Sequence, residues 1–162
     1  MRRPPAIASL LRPFRSQPPP PSLRIGYRLA QACPTGLENL NRLLLLCGEP
    51  PRSEELWRRV LERSLWHLVV LDPAERPVGF LRATSDLALN ANLWDLLSDP
   101  ADPGRSEVLA VLVHTALTRL RRELSGCSIS LSAPPEAISA LTQAGFVLDP
   151  GGIRAMGRRL QP

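Results

Sequence analysis

The longest regular pattern in the chain is an apolar stripe between residues 106 and 124. Its apolar side chains recur three and four residues apart, at Leu109, Leu112, Val113, Ala116, Leu117, Leu120 and Leu124. This spacing predicts one long helix with a single buried face. Strand-like segments lie directly before it, at ANLWDLLS, and after it, at CSISLS. A long helix between two strands is typical of a crossover connection in an α/β fold.

Shorter patterns place the other elements along the chain. Alternating apolar residues predict further strands over residues 23–32, 65–71, 77–85, 146–149 and 153–160. Helices are predicted to open at Thr35, which stands at capping-box spacing from Glu38, at the N-cap Ser53, and at the prolines before residue 136. The predicted fold class is α/β, with a mixed, twisted sheet of about seven strands flanked by four helices.

The N-terminal segment differs in composition from the rest of the chain. Residues 1–22 are rich in proline and arginine and contain no carboxylate, which predicts a disordered arm. Residues 23–162 are assigned to one domain, which is long enough to bury a core. The net charge of +5 is carried by the acid-free N-terminal region, at Arg2, Arg3, Arg12, Arg15, Arg24 and Arg28. We therefore expect nucleic-acid binding only through the arm.

A turn before the long helix has the outline of a phosphate-binding loop. In SDPADPGRSEVLAVL, residues 98–112, a strand ends and a helix begins within a few residues. Unpaired backbone N–H groups at such a helix start attract anions. Gly104 is the only glycine of this turn, and Ser106 is the expected N-cap residue. The turn is therefore a candidate anion site, and a turn that binds nothing is the alternative.

The order of elements and two local segments resemble the GNAT superfamily of acetyl-CoA-dependent N-acetyltransferases. The segments are PVGFLRATSDLALNANLWDLLSDP, residues 77–100, and GFVLDPGGIRAM, residues 145–156, which are similar to cyanobacterial and plastid members. The resemblance covers about residues 23–160. It implies a GNAT fold, acetyl-CoA as the cofactor and an amine as the acceptor.

The resemblance also assigns cofactor residues. It implies that pantetheine pairs with the fourth strand, at Leu96, Leu97 and Ser98. It implies that the diphosphate lies at the helix start, at Pro103, Gly104, Arg105, Ser106, Glu107 and Val108. The family loop has glycines where phosphate approaches the backbone, and one register places Ser106 and Val108 there. Because the Glu107 carboxylate repels a diphosphate, we expect weakened binding.

Acetyl transfer needs a base for the acceptor amine and a proton donor for the leaving thiolate. Asp95, on the fourth strand, is the candidate catalytic base, acting through water, and a surface carboxylate is the alternative. Many family members have a tyrosine four residues before the GF of the last helix, and this position is Leu141 here. Tyr27, the only tyrosine, is predicted on the first strand.

Other polar and aromatic residues are weaker candidates. Three polar residues either line the entrance for the acceptor or form turns: Asp86, Asn90 and Asn92. Core positions are expected for Trp57, Trp66 and Trp94. No metal-site spacing joins the cysteines and histidines, so we expect no metal and free thiols at Cys33, Cys47 and Cys127, with packed or surface rings at His67 and His114.

The sequence therefore predicts an acetyl-CoA-dependent N-acetyltransferase with a degenerate cofactor loop. Its expected partner is an amine acceptor, a protein or a small molecule, and the sequence leaves a homodimer open. A catalytically inactive GNAT-like module for protein interaction or CoA-linked regulation is the alternative. The expected location is the cytoplasm of a cyanobacterium-like cell, or a plastid if residues 1–22 are a transit peptide. No apolar run reaches the roughly 20 residues that span a bilayer.

Overall fold

The computed structural model describes residues 19–149. Within them the strands are β1 (Arg28–Ala30), β2 (Trp66–Leu71), β3 (Pro77–Ser85), β4 (Asn90–Ser98) and β5 (Ser128–Leu131). The helices are α1 (Leu37–Leu46), α2 (Glu54–Glu62), α3 (Arg105–Glu123) and α4 (Ile138–Gln143), the last following a 3-10 turn at Pro135–Ala137. The α/β class and the predicted order of elements as far as α4 are confirmed.

One mixed sheet forms the centre of the fold, with its strands in the order β1-β2-β3-β4-β5. Neighbouring strands pair antiparallel from β1 to β4, whereas β4 and β5 pair parallel. A parallel pair needs a crossover connection, and α3 provides it. The crossover expected from the apolar stripe of residues 106–124 is therefore present.

Helices cover both faces of the sheet and create two clusters of buried side chains. On one face, α3 and α4 pack on the sheet through residues such as Val108, Leu112 and Leu141. On the other face, α1 and α2 bury Leu40, Leu43, Leu44 and Trp57 against Val69, Leu71 and Phe80. In β2, for example, Leu68 and Val70 point towards α3, whereas Val69 and Leu71 point towards α1 and α2.

Gly79 of β3 determines how closely α3 approaches the sheet. A Cβ atom at this position would lie 2.4 Å from Val108 Cγ1 and 3.1 Å from Leu112 Cδ1. Gly79 pairs with Ser98, the last residue of β4. The missing side chain therefore allows the first turns of α3 to lie against the end of β4.

The turn between β2 and β3 is held by a buried carboxylate, Asp72. Its oxygens accept hydrogen bonds from the main-chain N–H groups of Ala74 and Arg76 and from Arg76 Nε (2.8 Å). Burial alone would raise the pKa of Asp72, but these hydrogen bonds outweigh it, and the pKa lies below its usual value. Asp72 therefore has a structural role within its own turn.

Helix α2 begins as its sequence predicts, with the Ser53 hydroxyl accepting a hydrogen bond from Leu56 N–H (3.2 Å). We expect Ser53→Ala to lower the free energy of unfolding by about 1 kcal/mol, because this N–H loses its acceptor. Ser53→Thr should retain most of the stability. Urea unfolding of the two variants measures the difference, and an alanine variant as stable as the wild type would contradict the capping role.

Helix α1 begins differently from the prediction. Its N-cap residue is Gly36, with φ 86°, and no side chain caps this helix. The Thr35 hydroxyl lies 3.5 Å from Cys33 Sγ, so the predicted capping box with Glu38 does not form. The left-handed glycine turns the chain into the helix and takes the position that Thr35 was expected to fill.

Strand β1 is much shorter than its alternating pattern predicts. Gly26 adopts a φ of 85° and lies in a turn in which Tyr27 N–H donates to Arg24 O (3.1 Å). Ile25 is fully exposed, and pairing with β2 begins only at Arg28. Because the left-handed glycine reverses the chain, the residues before it cannot continue the pleat of β1.

The segment after α4 does not form the strand predicted over residues 146–149. Phe146 packs on the core, but Val147 and Leu148 are exposed, and within residues 19–149 no strand pairs with β5 on this side. The sheet of the described residues therefore has five strands instead of about seven. The strand predicted over 153–160 and most of the arm, residues 1–18, lie outside the described residues.

A helix that crosses a membrane is long and predominantly apolar. None of the helices within residues 19–149 is both long enough and apolar enough to cross a bilayer.

Candidate active site

The pairing of β4 with β5 ends partway along β4, which leaves a gap between the two strands. The paired residues run from Asn90 with Ser128 to Leu93 with Leu131. Strand β4 continues to Ser98, whereas β5 ends at Leu131. Residues 94–98 therefore present main-chain groups towards the β5 side without a strand partner there. This is the edge at which pantetheine is expected.

A bulge in β4 lies at the start of this gap. Phe80 pairs with Leu97 and Arg82 with Trp94, so β4 has one more residue than β3 over this stretch. Asp95, inside the bulge, takes a left-handed conformation with φ 54°. The backbone of β4 therefore bends just where its pairing with β5 has ended.

Two arginines from different parts of the chain hold Asp95. Arg52 donates to both carboxylate oxygens (2.6 and 3.0 Å), and Arg82 Nε donates to Oδ2 (2.6 Å). Burial alone would raise the pKa of Asp95, but the hydrogen bonds from both arginines outweigh it, and the pKa lies below its usual value. A paired, acidic carboxylate is a poor proton acceptor, so these contacts weigh against the base role predicted for Asp95.

The start of α3 does not have the expected cap. Its N-cap residue is Gly104 instead of Ser106, and no side chain caps this helix. Ser106 lies within the first turn because the helix already begins at Arg105. Arg105 N–H and Val108 N–H have main-chain acceptors at 3.2 and 2.9 Å. Among the described residues, none supplies a main-chain acceptor to Ser106 N–H or Glu107 N–H, as is usual in a first turn.

Of the side chains next to these amides, that of Val108 leaves the helix start open and that of Glu107 covers it. Val108 is fully buried on the sheet side, so its side chain does not cover the helix start. The Glu107 side chain does cover the helix start, because its carboxylate interacts with its own backbone N–H and with Arg24 Nε (3.0 Å). Both contacts lower the pKa of this carboxyl group. An ionised carboxylate thus occupies part of the space where the helix start would attract a phosphate.

A second contact joins the residues before β1 to the turn before α3. Tyr27 OH donates to Asp102 Oδ2 (3.0 Å), in the turn before α3. Tyr27 therefore contacts the turn before Gly104, and Arg24 contacts the helix after it. The only tyrosine of the chain is thus bonded to a structural carboxylate.

A further ion pair joins the start of α3 to the turn before α4. Arg105 Nη2, at the start of α3, donates to Glu136 Oε1 (2.7 Å), in the turn before α4. Because α3 follows β4 and α4 follows β5, this pair links the segments that continue the two diverging strands. Leu141, at the position of the family tyrosine, is buried in the core and has no proton to donate.

Two buried polar side-chain atoms of the described residues lack hydrogen-bond partners: Ser98 Oγ and Arg105 Nε. They lie at the end of β4 and the start of α3, where the cofactor is expected. Buried polar groups are almost always paired, so unpaired ones indicate a place for water or a polar ligand. The residues present therefore fit acetyl-CoA, although the Glu107 carboxylate opposes its diphosphate.

The candidates for the acceptor entrance have turn and pairing roles. The main-chain N–H groups of Asn90, Ala88 and Leu89 donate to Asp86 and lower its pKa to about 2. Asn92 Oδ1 accepts a hydrogen bond from Ser130 (2.6 Å), across the β4–β5 pair. The structure thus gives these polar residues partners within the hairpin and the sheet.

The aromatic residues follow the prediction only in part. Trp57 and Trp66 are buried, as expected, but Trp94 is 44% exposed and donates to Thr84 Oγ1 (2.8 Å). Trp94 lies on the face of β4 opposite buried Leu93, beside Thr84 and Arg82. The expectation of a core position for Trp94 was therefore wrong.

The cysteines and histidines lie apart from one another. All three cysteines are free and half-buried. Burial lowers the pKa of His67, and His114 is exposed on α3. Within residues 19–149 no cluster of His, Cys, Asp or Glu side chains has the form of a metal site.

Arg52 and Arg82 are the site residues that the sequence analysis did not identify. Arg82 stands within the otherwise apolar GFLRAT of β3, and Asp95 stands within LWDLLS of β4. Opposite charges within neighbouring apolar strands are a usable signal for such a pair. No comparable sequence pattern indicates that Arg52 binds Asp95, because Arg52 lies between α1 and α2, 43 residues before Asp95.

Comparison with known proteins places this geometry in a family. No family model matches the chain. It is 36% identical over 132 residues to Serotonin N-acetyltransferase 2, chloroplastic, of Oryza sativa subsp. japonica, covering 75% of this chain and 62% of that protein. It is 32% identical over 126 residues to GCN5-related N-acetyltransferase 1, chloroplastic, of Arabidopsis thaliana, covering 74% and 60%. The chain thus spans about three fifths of the length of these relatives.

Solved structures show the same fold. A probable acetyltransferase from meticillin-resistant Staphylococcus aureus superposes with a TM-score of 0.71 at 17% sequence identity, covering 83% of this chain and 99% of that one. At this identity the likeness concerns the fold alone. Together with the sequence relatives, it confirms the resemblance: this chain belongs to the superfamily of GCN5-related N-acetyltransferases, the GNAT superfamily.

Proposed function

We propose that this protein is an acetyl-CoA-dependent N-acetyltransferase that acts on an amine of a protein or a small molecule. The observation that carries the proposal is the gap beside the start of α3. There, among the described residues, residues 94–98 of β4 have no strand partner on the β5 side, and Ser106 N–H and Glu107 N–H have no main-chain acceptor. Family membership supports the same ligand.

The cofactor residues are proposed from this geometry. The main chain of Leu96, Leu97 and Ser98 would hold pantetheine, with Ser98 Oγ gaining the partner that it lacks. The segment from Pro103 to Val108 would hold the diphosphate, with Arg24 and Arg105 as the cations at this turn. Acetyl-CoA supplies an activated acetyl group as a thioester.

The proton transfers are harder to assign to side chains. The base role of Asp95 stays a prediction, which its two arginine partners weigh against. Leu141 cannot donate a proton, and the phenol of Tyr27 is bonded to Asp102. We propose that water carries the protons at this site.

The alternative, a catalytically inactive GNAT-like module, has its own supporting observation. Glu107 lies over the helix start, and Arg24 holds its carboxylate there. An internal carboxylate competes with the diphosphate for the same amides. A module with this arrangement would bind CoA weakly and serve in protein interaction or regulation.

A thermal shift experiment separates the two proposals. Acetyl-CoA at about 100 times its Kd should stabilise the native protein by about 2.7 kcal/mol. For a domain of this size, this raises Tm by roughly 5–10 °C. ATP at the same concentration controls for a general effect of phosphate charge. No rise with millimolar acetyl-CoA would favour the inactive module.

We propose a bacterial cytoplasm or a plastid as the location of the protein. The chloroplastic names of two relatives support a plastid as the alternative to a bacterial cytoplasm. The arm of residues 1–22 is proposed as a tail or transit peptide, and a homodimer is left open. Deleting the arm should abolish any salt-sensitive binding to nucleic acid.

A further inference from the structure

We propose that Asp95 is a positioning residue: its carboxylate, held by Arg52 and Arg82, fixes the β4 bulge to the connection between α1 and α2. The catalytic part of this inference rests on the proposed function. In this role Asp95 acts through the main chain of β4 and takes no proton from the substrate.

The first support is the number of elements that meet at Asp95. Arg52 lies in the connection between α1 and α2, Arg82 on β3, and Asp95 on β4. All three side chains are at most 20% exposed, so water competes little for their hydrogen bonds. The two ion pairs therefore tie β4 to its neighbour strand and to the helical layer above it.

The second support is the backbone of Asp95 itself. A φ of 54° is uncommon for a residue other than glycine and persists where the surroundings hold it. Both guanidinium groups bind the side chain of this residue. Because pairing with β5 ends at Leu93, no strand within the described residues pairs with the bulge from that side.

The third support is that Arg52 is itself fixed. Its main-chain N–H donates to Asn41 Oδ1 (2.9 Å), and its carbonyl accepts from Asn41 Nδ2 (2.8 Å). The same Asn41 oxygen accepts from Trp57 Nε1 (2.8 Å), and the Arg52 guanidinium lies 4.6 Å from the Trp57 ring centre. Helices α1 and α2 therefore hold Arg52 in place before it reaches Asp95.

The consequence concerns the main-chain groups beside the gap. The bend at Asp95 sets the direction of residues 96–98, the edge proposed for pantetheine. If the carboxylate is lost, both the bulge and the α1–α2 connection lose a shared anchor. The two segments should then become mobile together, although they lie far apart in sequence.

Hydrogen exchange and turnover of four proteins test this inference: the wild type, Asp95→Asn, Arg52→Gln and Asp72→Asn. Asparagine tolerates the left-handed backbone, so Asp95→Asn keeps the bulge possible while it removes the charge and one of the two oxygens that accept from the arginines. Asp72→Asn is the matched control, because Asp72 is also a buried, arginine-paired carboxylate but lies in the β2–β3 turn. All assays run below the lowest Tm of the four.

Amide exchange should quicken at least about 10-fold in residues 94–98 and in the segment 48–53, whose amides are those of residues 48, 49, 52 and 53, in Asp95→Asn and Arg52→Gln, but not in Asp72→Asn. Turnover should fall at least about 10-fold in the first two variants while the control stays at the wild-type rate. Unchanged exchange at residues 48–53 in Asp95→Asn would overturn the inference.

Arg52→Gln also distinguishes positioning from base catalysis. It frees a carboxylate oxygen and removes a charge that keeps the pKa of Asp95 low, so a base would keep or gain activity. Turnover at or above the wild-type level would overturn the positioning role. If the wild type shows no turnover with any amine, the proposed function fails, and the exchange data alone decide the structural coupling.

Discussion

Gly79→Ala should lower the free energy of unfolding by about 2 kcal/mol or more, because the new methyl group has no space. Its Cβ would lie 2.4 Å from Val108 Cγ1, on a stiff, buried, β-branched side chain. Either α3 must move away from the sheet or the strand must shift. Since Val108 lies in the first turn of α3 and Gly79 pairs with Ser98, acetyl-CoA affinity should fall as well.

Gly104→Ala is the matched control for this variant. A Cβ there would meet Asp102 Oδ1 at 3.1 Å and Arg24 Cδ at 3.2 Å, which are ends of movable side chains, and φ is −95°. Urea unfolding should show a much smaller loss than for Gly79→Ala. Equal losses for the two variants would mean that the close approach of α3 at Gly79 does not limit stability.

Glu107→Gln should tighten acetyl-CoA binding about fivefold, because it removes a negative charge beside the expected diphosphate. The carboxylate already interacts with its own N–H, and the neutral amide of glutamine accepts from that N–H more weakly, so a phosphate displaces it more easily. Calorimetric titration at low salt gives the Kd of each protein. The gain should shrink in high salt, because the carboxylate is exposed and its repulsion is screened.

Glu123→Gln controls for the change in net charge. Glu123 ends the same helix, and it pairs with Arg119 and Trp66, far from the proposed cofactor. Its substitution should leave the Kd unchanged. A similar gain in both variants would indicate a long-range charge effect, and no gain in Glu107→Gln would remove Glu107 as an obstacle to the diphosphate.

The elements that the sequence predicts well are those decided by burial. The stripe of α3 and the apolar runs of β2, β3 and β4 could be assigned because each buries a regular face. The predicted ends of strands and helices are wrong where the backbone conformation of a glycine determines them. Left-handed Gly26 shortens β1, and left-handed Gly36 replaces the capping box of α1. Gly104 replaces Ser106 as the cap of α3, so that Ser106 enters the first turn.

The candidate site was predictable only in outline. The strand edge and the helix start follow from the order of elements, because β4, its turn and α3 are contiguous. The partners of Asp95 do not follow, since Arg52 and Arg82 lie 43 and 13 residues away and meet it only in the folded chain. The left-handed backbone of Asp95 likewise belongs to a bulge, which leaves no periodic signal.

We expect acetyl-CoA to bind between β4 and β5 at the start of α3. A titration of the ¹⁵N-labelled protein with acetyl-CoA, followed by amide chemical shifts, locates the binding site. The largest shifts should occur at residues 96–98 and 104–108, and both segments should saturate at the same acetyl-CoA concentration. No shifts at millimolar acetyl-CoA, or shifts confined to residues remote from both segments, would contradict it.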